Sequence, residues 1–389
     1  MPTPRARSAA PTGAGTSRRA SANGRPGTAK AAVGRTRTPP LSSPLTSEGF
    51  AERFNRVVSN VGKVIKGKDD VVRLCLVGML AEGHVLFEDM PGTGKTMLAR
   101  SIAQTINAHS SRIQCTPDLL PGDVTGSTVL DRKTGDFVFR RGPVFANVFL
   151  ADEINRATPK TQSALLESMA ERRITFDGTT HPLPRPFFVL ATMNPIELAG
   201  TFPLPEAQLD RFLFKLSLGY AGRDAEAEVL RANSREEAIT SLEAAIELDD
   251  LVGMIEWAKD VTVTDEVLYY VIDLVQTTRT DPALQMGASS RASQALMRAA
   301  RVMAASQGRD DILPDDVKQL VNPVLAHRLV LTPDAQLRDE TIDGVIDRIV
   351  HRVKVPLGAA ARHSATPVTA STPGPVAVSV AGAETATVG

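Results

Sequence analysis

Five short apolar runs recur through the middle of this chain: HVLFED at 84–89, SRIQC at 111–115, NVFLADE at 147–153, PFFVLATMN at 186–194 and RFLFKLSL at 211–218. Between them stand stretches of helical periodicity such as TMLARSIAQTIN and TPKTQSALLESMAE. Runs that stay apolar without alternating read as strands buried on both faces, and strands separated by helices predict a parallel α/β sheet. No other feature limits the possible folds so sharply. With 389 residues, 42% of them hydrophobic, the chain is long enough for a sizeable core and more than one domain.

Beyond residue 220 the strand-like runs vanish. TDEVLYYVIDLVQTTR and SRASQALMRAARVMAAS repeat apolar residues at helical spacing, and Pro314 before DDVKQLV has the form of a helix start. The expected organisation is an α/β core over 46–220, with a five-stranded parallel sheet, followed by a smaller all-helical lid over 221–354.

The segments outside this body differ in composition. Residues 1–45 hold Arg5, Arg7, Arg18, Arg19, Arg25, Lys30, Arg35 and Arg37 and no acid. They are otherwise dominated by Ala, Gly, Pro, Ser and Thr, so burial cannot offset the entropy of ordering them, and a disordered basic tail is expected. A solubilising or unselected extension is favoured over a tether to nucleic acid or an acidic partner, since a charge block alone is weak evidence. Because the whole chain balances 44 cations against 44 acids, what remains without this tail is net acidic. Residues 355–389, rich in Ala, Thr, Val and Pro, form a second low-complexity tail expected to be disordered.

No apolar stretch approaches the ~18–20 residues of a membrane span, and no secretory leader opens the chain. Cys75 and Cys115 lie in apolar patterns and read as small buried hydrophobes. Both observations fit a cytoplasmic protein.

The first apolar run leads into EDMPGTGKT at 88–96. In a phosphate loop, glycines such as Gly92 and Gly94 let backbone N–H groups converge on phosphate, while Pro91 and Thr93 complete the turn. Lys95 would supply a positive charge and Thr96 a hydroxyl to Mg2+ at a helix N-terminus. The usual spacing puts a further Gly at position 89, where this chain has Asp89, an acid that must point away from bound phosphate.

A Mg2+·ATP site also needs carboxylates, which NVFLADE provides at the end of a buried strand. Asp152 suits the metal, and Glu153 suits a base that polarises water. Exposed strand ends often carry acids for solubility alone, but two in succession at the carboxyl edge of a sheet argue for a site. Asn194 ends another buried strand at that edge, where it could contact the γ-phosphate or hold the water; an Asn before Pro also serves as a turn residue.

These residues resemble the MoxR-type AAA+ ATPases. The phosphate loop, LADEINRATPKTQSALLESMAERRITFDG, ATMNP, LPEAQLDRFLFKL and GASSRA stand in that family's order, and the likeness covers about residues 48–354. The resemblance implies a ring, usually hexameric, that remodels or activates protein clients, often with a partner carrying a von Willebrand A domain. It makes Lys95 and Thr96 the Walker A pair, Asp152 and Glu153 the Walker B pair, and Asn194 the first sensor. Arg211 is similar to the finger that reaches a neighbour's ATP, and Arg291 to a second sensor projecting from the lid onto the γ-phosphate. Ser290 replaces the family's usual Pro. Gly67 in IKGKDDVV marks the segment that lines the adenine pocket in similar proteins. Arg156 fits either a subunit contact or an ordinary ion pair.

Two insertions are expected as β-hairpins, one over 125–145 around DRKTGD and one over 173–190 turning at Asp177-Gly178. In similar rings such hairpins face the pore or the client. Related AAA+ proteins include nucleic-acid motors and chelatase-like switches, which stand as alternatives. The second tip, FDGTTH, has no Lys or Arg between Arg173 and Arg185, which argues against a specific nucleic-acid partner.

Overall fold

The computed structural model describes residues 45–195, 200–220, 222–231 and 239–356. Apart from residues 45, 355 and 356, both tails lie outside the described residues. The strands, in chain order, are β1 Val85–Glu88, β2 Ser110–Gln114, β3 Gly126–Leu130, β4 Phe137–Arg141, β5 Val148–Asp152, β6 Arg173–Phe176, β7 Thr179–Pro182, β8 Phe188–Met193, β9 Phe214–Leu216, β10 Leu284–Met286 and β11 Val330–Leu331. The central sheet has five strands in the order β2-β5-β8-β1-β9. Every neighbouring pair in it is parallel.

Alternate side chains of these strands enter two different cores. Val85 and Phe87, Val148 and Leu150, and Phe188 and Leu190 pack on one face. Leu86, Phe149, Ala151, Val189 and Ala191 pack on the other. The three inner runs, β1, β5 and β8, are therefore apolar at consecutive positions because both faces are covered, whereas edge strand β2 exposes Ser110, Arg112 and Gln114, so SRIQC is not buried on both faces as expected. The first core also takes in Phe50 and Phe54 of the helix Ser47–Gly62 and lid residues such as Met254, Val271 and Leu296, so core and lid share one apolar interior. Cys75 and Cys115 are buried and unpaired.

Helix starts follow local chemistry. The Thr46, Thr158, Thr264 and Thr341 hydroxyls each accept an N–H in the first turn that follows, and Pro314 opens its helix where no intrahelical donor is needed.

The lid is not wholly helical. β10 and β11 pair antiparallel, Leu284 opposite Leu331 and Met286 opposite Val330. Two or three residues carry no readable periodicity, and their pairing depends on segments far apart in sequence. Pro282 disfavours helix at Asp281, so the chain leaves the helix Asp265–Thr280 extended, ready to pair.

Both insertions are hairpins. The second turns at Asp177 and Gly178, with φ of 48° and 74°, as a two-residue Asp-Gly turn requires. It ends at Pro182 and not at 190, because residues 188–190 belong to core strand β8. Pro182, Pro184 and Pro186 lack the N–H that a ladder needs, so they separate the hairpin from that strand. The hairpins touch through Phe139, which stacks on His181 at 4.4 Å and tilts against Phe176 at 5.6 Å.

His84, just before β1, ties three elements together. The Val189 N–H donates to its Nδ1 at 3.2 Å, leaving Nε2–H to donate to the Met169 carbonyl at 3.1 Å. Burial pushes its pKa down to about 4, with Arg172 and Arg298 adding to the effect. A neutral native imidazole that charges readily once unfolded stabilises the fold fully above about pH 6.5. That contribution, ~3 kcal/mol, is lost as pH falls toward about 4. His84→Gln should be less stable than the parent at pH 7 yet lose less on acidification, which urea titrations at pH 7, 6 and 5 would read. His327 shifts in the same direction in both proteins and cancels in the comparison.

Candidate active site

The helix Lys95–Thr105 begins at the carboxyl edge of the sheet, with Gly94 as its N-cap at φ 98°. Gly92 has φ 84°, and a Cβ at either glycine would meet nothing within 4 Å. The loop thus turns through a conformation open to glycine, with its backbone facing a cavity of about 350 Å3. Pro91, Gly92, Thr93, Gly94, Lys95 and Thr96 all line it.

Asp89 turns away, as its charge demands. Its buried carboxylate accepts from Ser217 Oγ at 2.7 Å, the Leu218 N–H at 2.7 Å and the Gly219 N–H at 3.0 Å. The acid clasps the end of β9 and fixes the start of the loop. Lys95 Nζ donates to the carbonyls of Asp89 at 3.2 Å and Met90 at 2.9 Å. Burial lowers the Lys95 pKa, while the charges of Asp89, Asp152 and Glu153 act against that shift.

Asp152 and Glu153 line the same cavity, at the end of β5. Thr192 of β8 braces both, donating to Asp152 Oδ1 at 2.6 Å and accepting the Glu153 N–H at 2.8 Å. Arg112 of β2 pairs with Asp152 Oδ2 at 2.7 Å, and Gln114 donates to Glu153 Oε2 at 2.8 Å. Arg156 pairs with Glu153 at 3.2 Å, so the ion-pair role is present. Glu153 itself sits at φ 55°, ψ 52°, a left-handed conformation that non-glycine residues seldom adopt. Asn194, buried at the end of β8, completes the cavity wall, and its carbonyl accepts from Asn155.

These residues suit a Mg2+-bound triphosphate. The loop offers N–H groups and one ammonium to phosphate, while Thr96 and Asp152 offer the hard oxygen donors that Mg2+ prefers.

Arg211 and Arg291 lie elsewhere. They line a second cleft of about 750 Å3, shared with Arg172, Arg298, Arg301 and Arg328, whose acids are Glu82 and Asp210. Arg291 pairs with Asp210 at 3.7 Å, and neither arginine lines the phosphate-loop cavity. Gly67 also stands apart from that cavity. At φ 67° it lets the chain pass Ala225, whose Cβ would be 3.3 Å from an added Cβ.

Sequence reasoning missed Arg112, Gln114 and Thr192. Their signal is register: Gln114 is aligned with Asp152, and Arg112 shares its strand face at a spacing of two.

The chain matches the AAA_3 family, an ATPase family associated with various cellular activities, over residues 84–214. An AAA lid domain matches over 276–349. It is 46% identical to the uncharacterised protein YeaC of Bacillus subtilis, covering 78% of this chain and 95% of that protein. It is 41% identical to the chaperone MoxR1 of Mycobacterium tuberculosis, covering 80% and 86%. It is 32% identical to the MoxR protein of Paracoccus denitrificans, covering 78% and 96%. A crystal structure from Cytophaga hutchinsonii, described as a candidate ATPase, superposes with a TM-score of 0.75 at 37% identity, covering 80% of this chain and 97% of that one.

Proposed function

The chain belongs to the MoxR family of AAA ATPases, and from that premise we propose that it couples Mg2+-dependent ATP hydrolysis to the remodelling or activation of a protein client. The observation that carries the reading is the convergence of Lys95, Thr96, Asp152, Glu153 and Asn194 on one cavity, with Arg211 and Arg291 facing another. A protomer with its phosphate site and its arginines on separate clefts suits an oligomer, in which each subunit offers arginines to its neighbour's nucleotide. A hexameric ring is the form proposed.

Phosphoryl transfer depends on positioning and on neutralising developing charge. Bound Mg2+ would neutralise charge on the β- and γ-phosphates. Lys95 and the loop N–H groups would hold the phosphates, and Thr96 and Asp152 would hold the metal. Glu153, with its backbone fixed by Thr192, polarises water, and Asn194 holds that water or the γ-phosphate. Arg211 and Arg291 supply positive charge across the subunit boundary.

A protein client is favoured by the relative named as a chaperone and by the hairpin surfaces. Leu130, Phe137 and Val138 are exposed on the first hairpin, and the second presents exposed Asp177 at its tip. An acid there repels a nucleic-acid backbone, whereas apolar side chains suit polypeptide. Arg132, Lys133, Arg140 and Arg141 of the first hairpin, with the basic tail, predict weak, salt-sensitive DNA binding. In about 150 mM salt, where exposed charges are screened beyond ~8 Å, a chain starting at residue 46 should hydrolyse ATP at the same rate with or without single- or double-stranded DNA. Strong stimulation by DNA would favour a nucleic-acid motor.

A further inference from the structure

Arg328 of the lid is an almost fully buried guanidinium that makes five hydrogen bonds, four to one turn of the core and one to the Val324 carbonyl of the lid. Its side chain is 3% exposed. Nε donates to Asp210 Oδ1 at 2.7 Å. Nη2 donates to the carbonyls of Asp210 at 3.2 Å and Phe212 at 2.5 Å, and Nη1 to those of Leu213 at 3.3 Å and Val324. The neighbouring His327 adds a contact from Nε2 to the Phe212 carbonyl at 3.1 Å. The backbone groups on both sides of exposed Arg211 are therefore held by the lid, and Arg211 lies between two held carbonyls.

Asp210 is the meeting point. While Oδ1 accepts from Arg328, Oδ2 accepts from Ser289 Oγ at 3.2 Å and faces Arg291 at 3.7 Å. One carboxylate thus joins the core arginine's turn to the start of the helix Ser290–Ser306, which carries Arg291. Burial depresses the Arg328 pKa and Asp210 opposes that shift in part, so the carboxylate is the counter-charge for a cation with little access to water.

We propose that Arg328 and Asp210 form a clamp through which the lid positions Arg211 and Arg291 together, so that a lid displaced from the core withdraws both arginines from the neighbouring subunit's site. The clamp rests on the reading of Arg211 as an arginine acting in trans. Arg328 and Asp210 are positioning residues, since they hold the turn and do not themselves line the phosphate-loop cavity. Lys cannot reproduce the guanidinium fork, because a single ammonium cannot span Asp210, Phe212 and Leu213 at once.

The test mixes inactive proteins in pairs, after co-purification of one affinity-tagged variant with the other untagged has confirmed mixed assemblies. Arg328→Lys should lower ATP turnover about 100-fold, the scale of a displacement near 1 Å in a positioning group. Its half-saturating ATP concentration should stay close to the parent's, while its unfolding midpoint falls, because buried carbonyls lose donors. Mixed with Lys95→Ala, which keeps its own arginines, Arg328→Lys should regain turnover. Mixed with Arg211→Ala, it should not, because every interface then lacks a working arginine. Asp210→Asn, which keeps the side-chain shape, should behave alike with a smaller loss and decides the matter if Arg328→Lys does not fold. Wild-type turnover in the folded variants, or recovery on mixing with Arg211→Ala, overturns the clamp. If Arg211→Ala alone retains wild-type turnover, it is the reading of Arg211 that has failed, and the clamp with it.

Discussion

Glu153→Gln should bind ATP with near-parental affinity and lose about 100- to 1,000-fold in turnover, equivalent to ~3–4 kcal/mol of barrier. The amide keeps the shape and can still meet Gln114 and Arg156, so the cavity should persist. What it loses is the carboxylate proposed to polarise water. Lys95→Ala should fail at the earlier step: its ammonium is the only cation that the loop places in the cavity, and nucleotide binding should fall below detection. Fluorescent-nucleotide titration and phosphate release separate the two effects. A Glu153→Gln protein with parental turnover would remove Glu153 from its role. The trapped form also offers a route to the client, since affinity capture on Glu153→Gln should enrich a protein retained in ATP and released in ADP.

Arg211→Ala should bind ATP normally and lose at least 1,000-fold in turnover, the scale typical of an arginine that stabilises transferring phosphate. Arg211 is exposed in the cleft that excludes Lys95, so its own protomer's nucleotide is not its target. Mixing Arg211→Ala with Lys95→Ala should restore part of the turnover, because some interfaces then combine an intact loop with an intact arginine. A confirmed mixture that hydrolyses nothing would refute action in trans.

The inner strands of the sheet were legible in the sequence for a physical reason: strands covered on both faces leave consecutive apolar positions. Lys95, Thr96, Asp152, Glu153 and Asn194 were legible because each ends a strand or begins a helix at one edge. Thr192, Arg112 and Gln114 were not, since their value arises only when β2, β5 and β8 lie in register. The separate cleft of Arg291 and the position of Gly67 beside Ala225 depend on how the lid packs, which no local pattern encodes. The two short lid strands were hidden for the same reason. Only the hairpin turn at Asp177-Gly178 was specified by two adjacent residues.

Glu153's left-handed backbone has a consequence for anyone who tries to make this protein more robust. Glycine adopts that conformation freely and asparagine more readily than glutamate, the penalty for most side chains being about 1–2 kcal/mol. Selection for heat resistance alone should therefore drift toward Gly or Asn at this position and collect well-folded, inactive chains. An evolution experiment on this scaffold needs turnover in the screen from its first round, because at this residue endurance and activity pull in opposite directions.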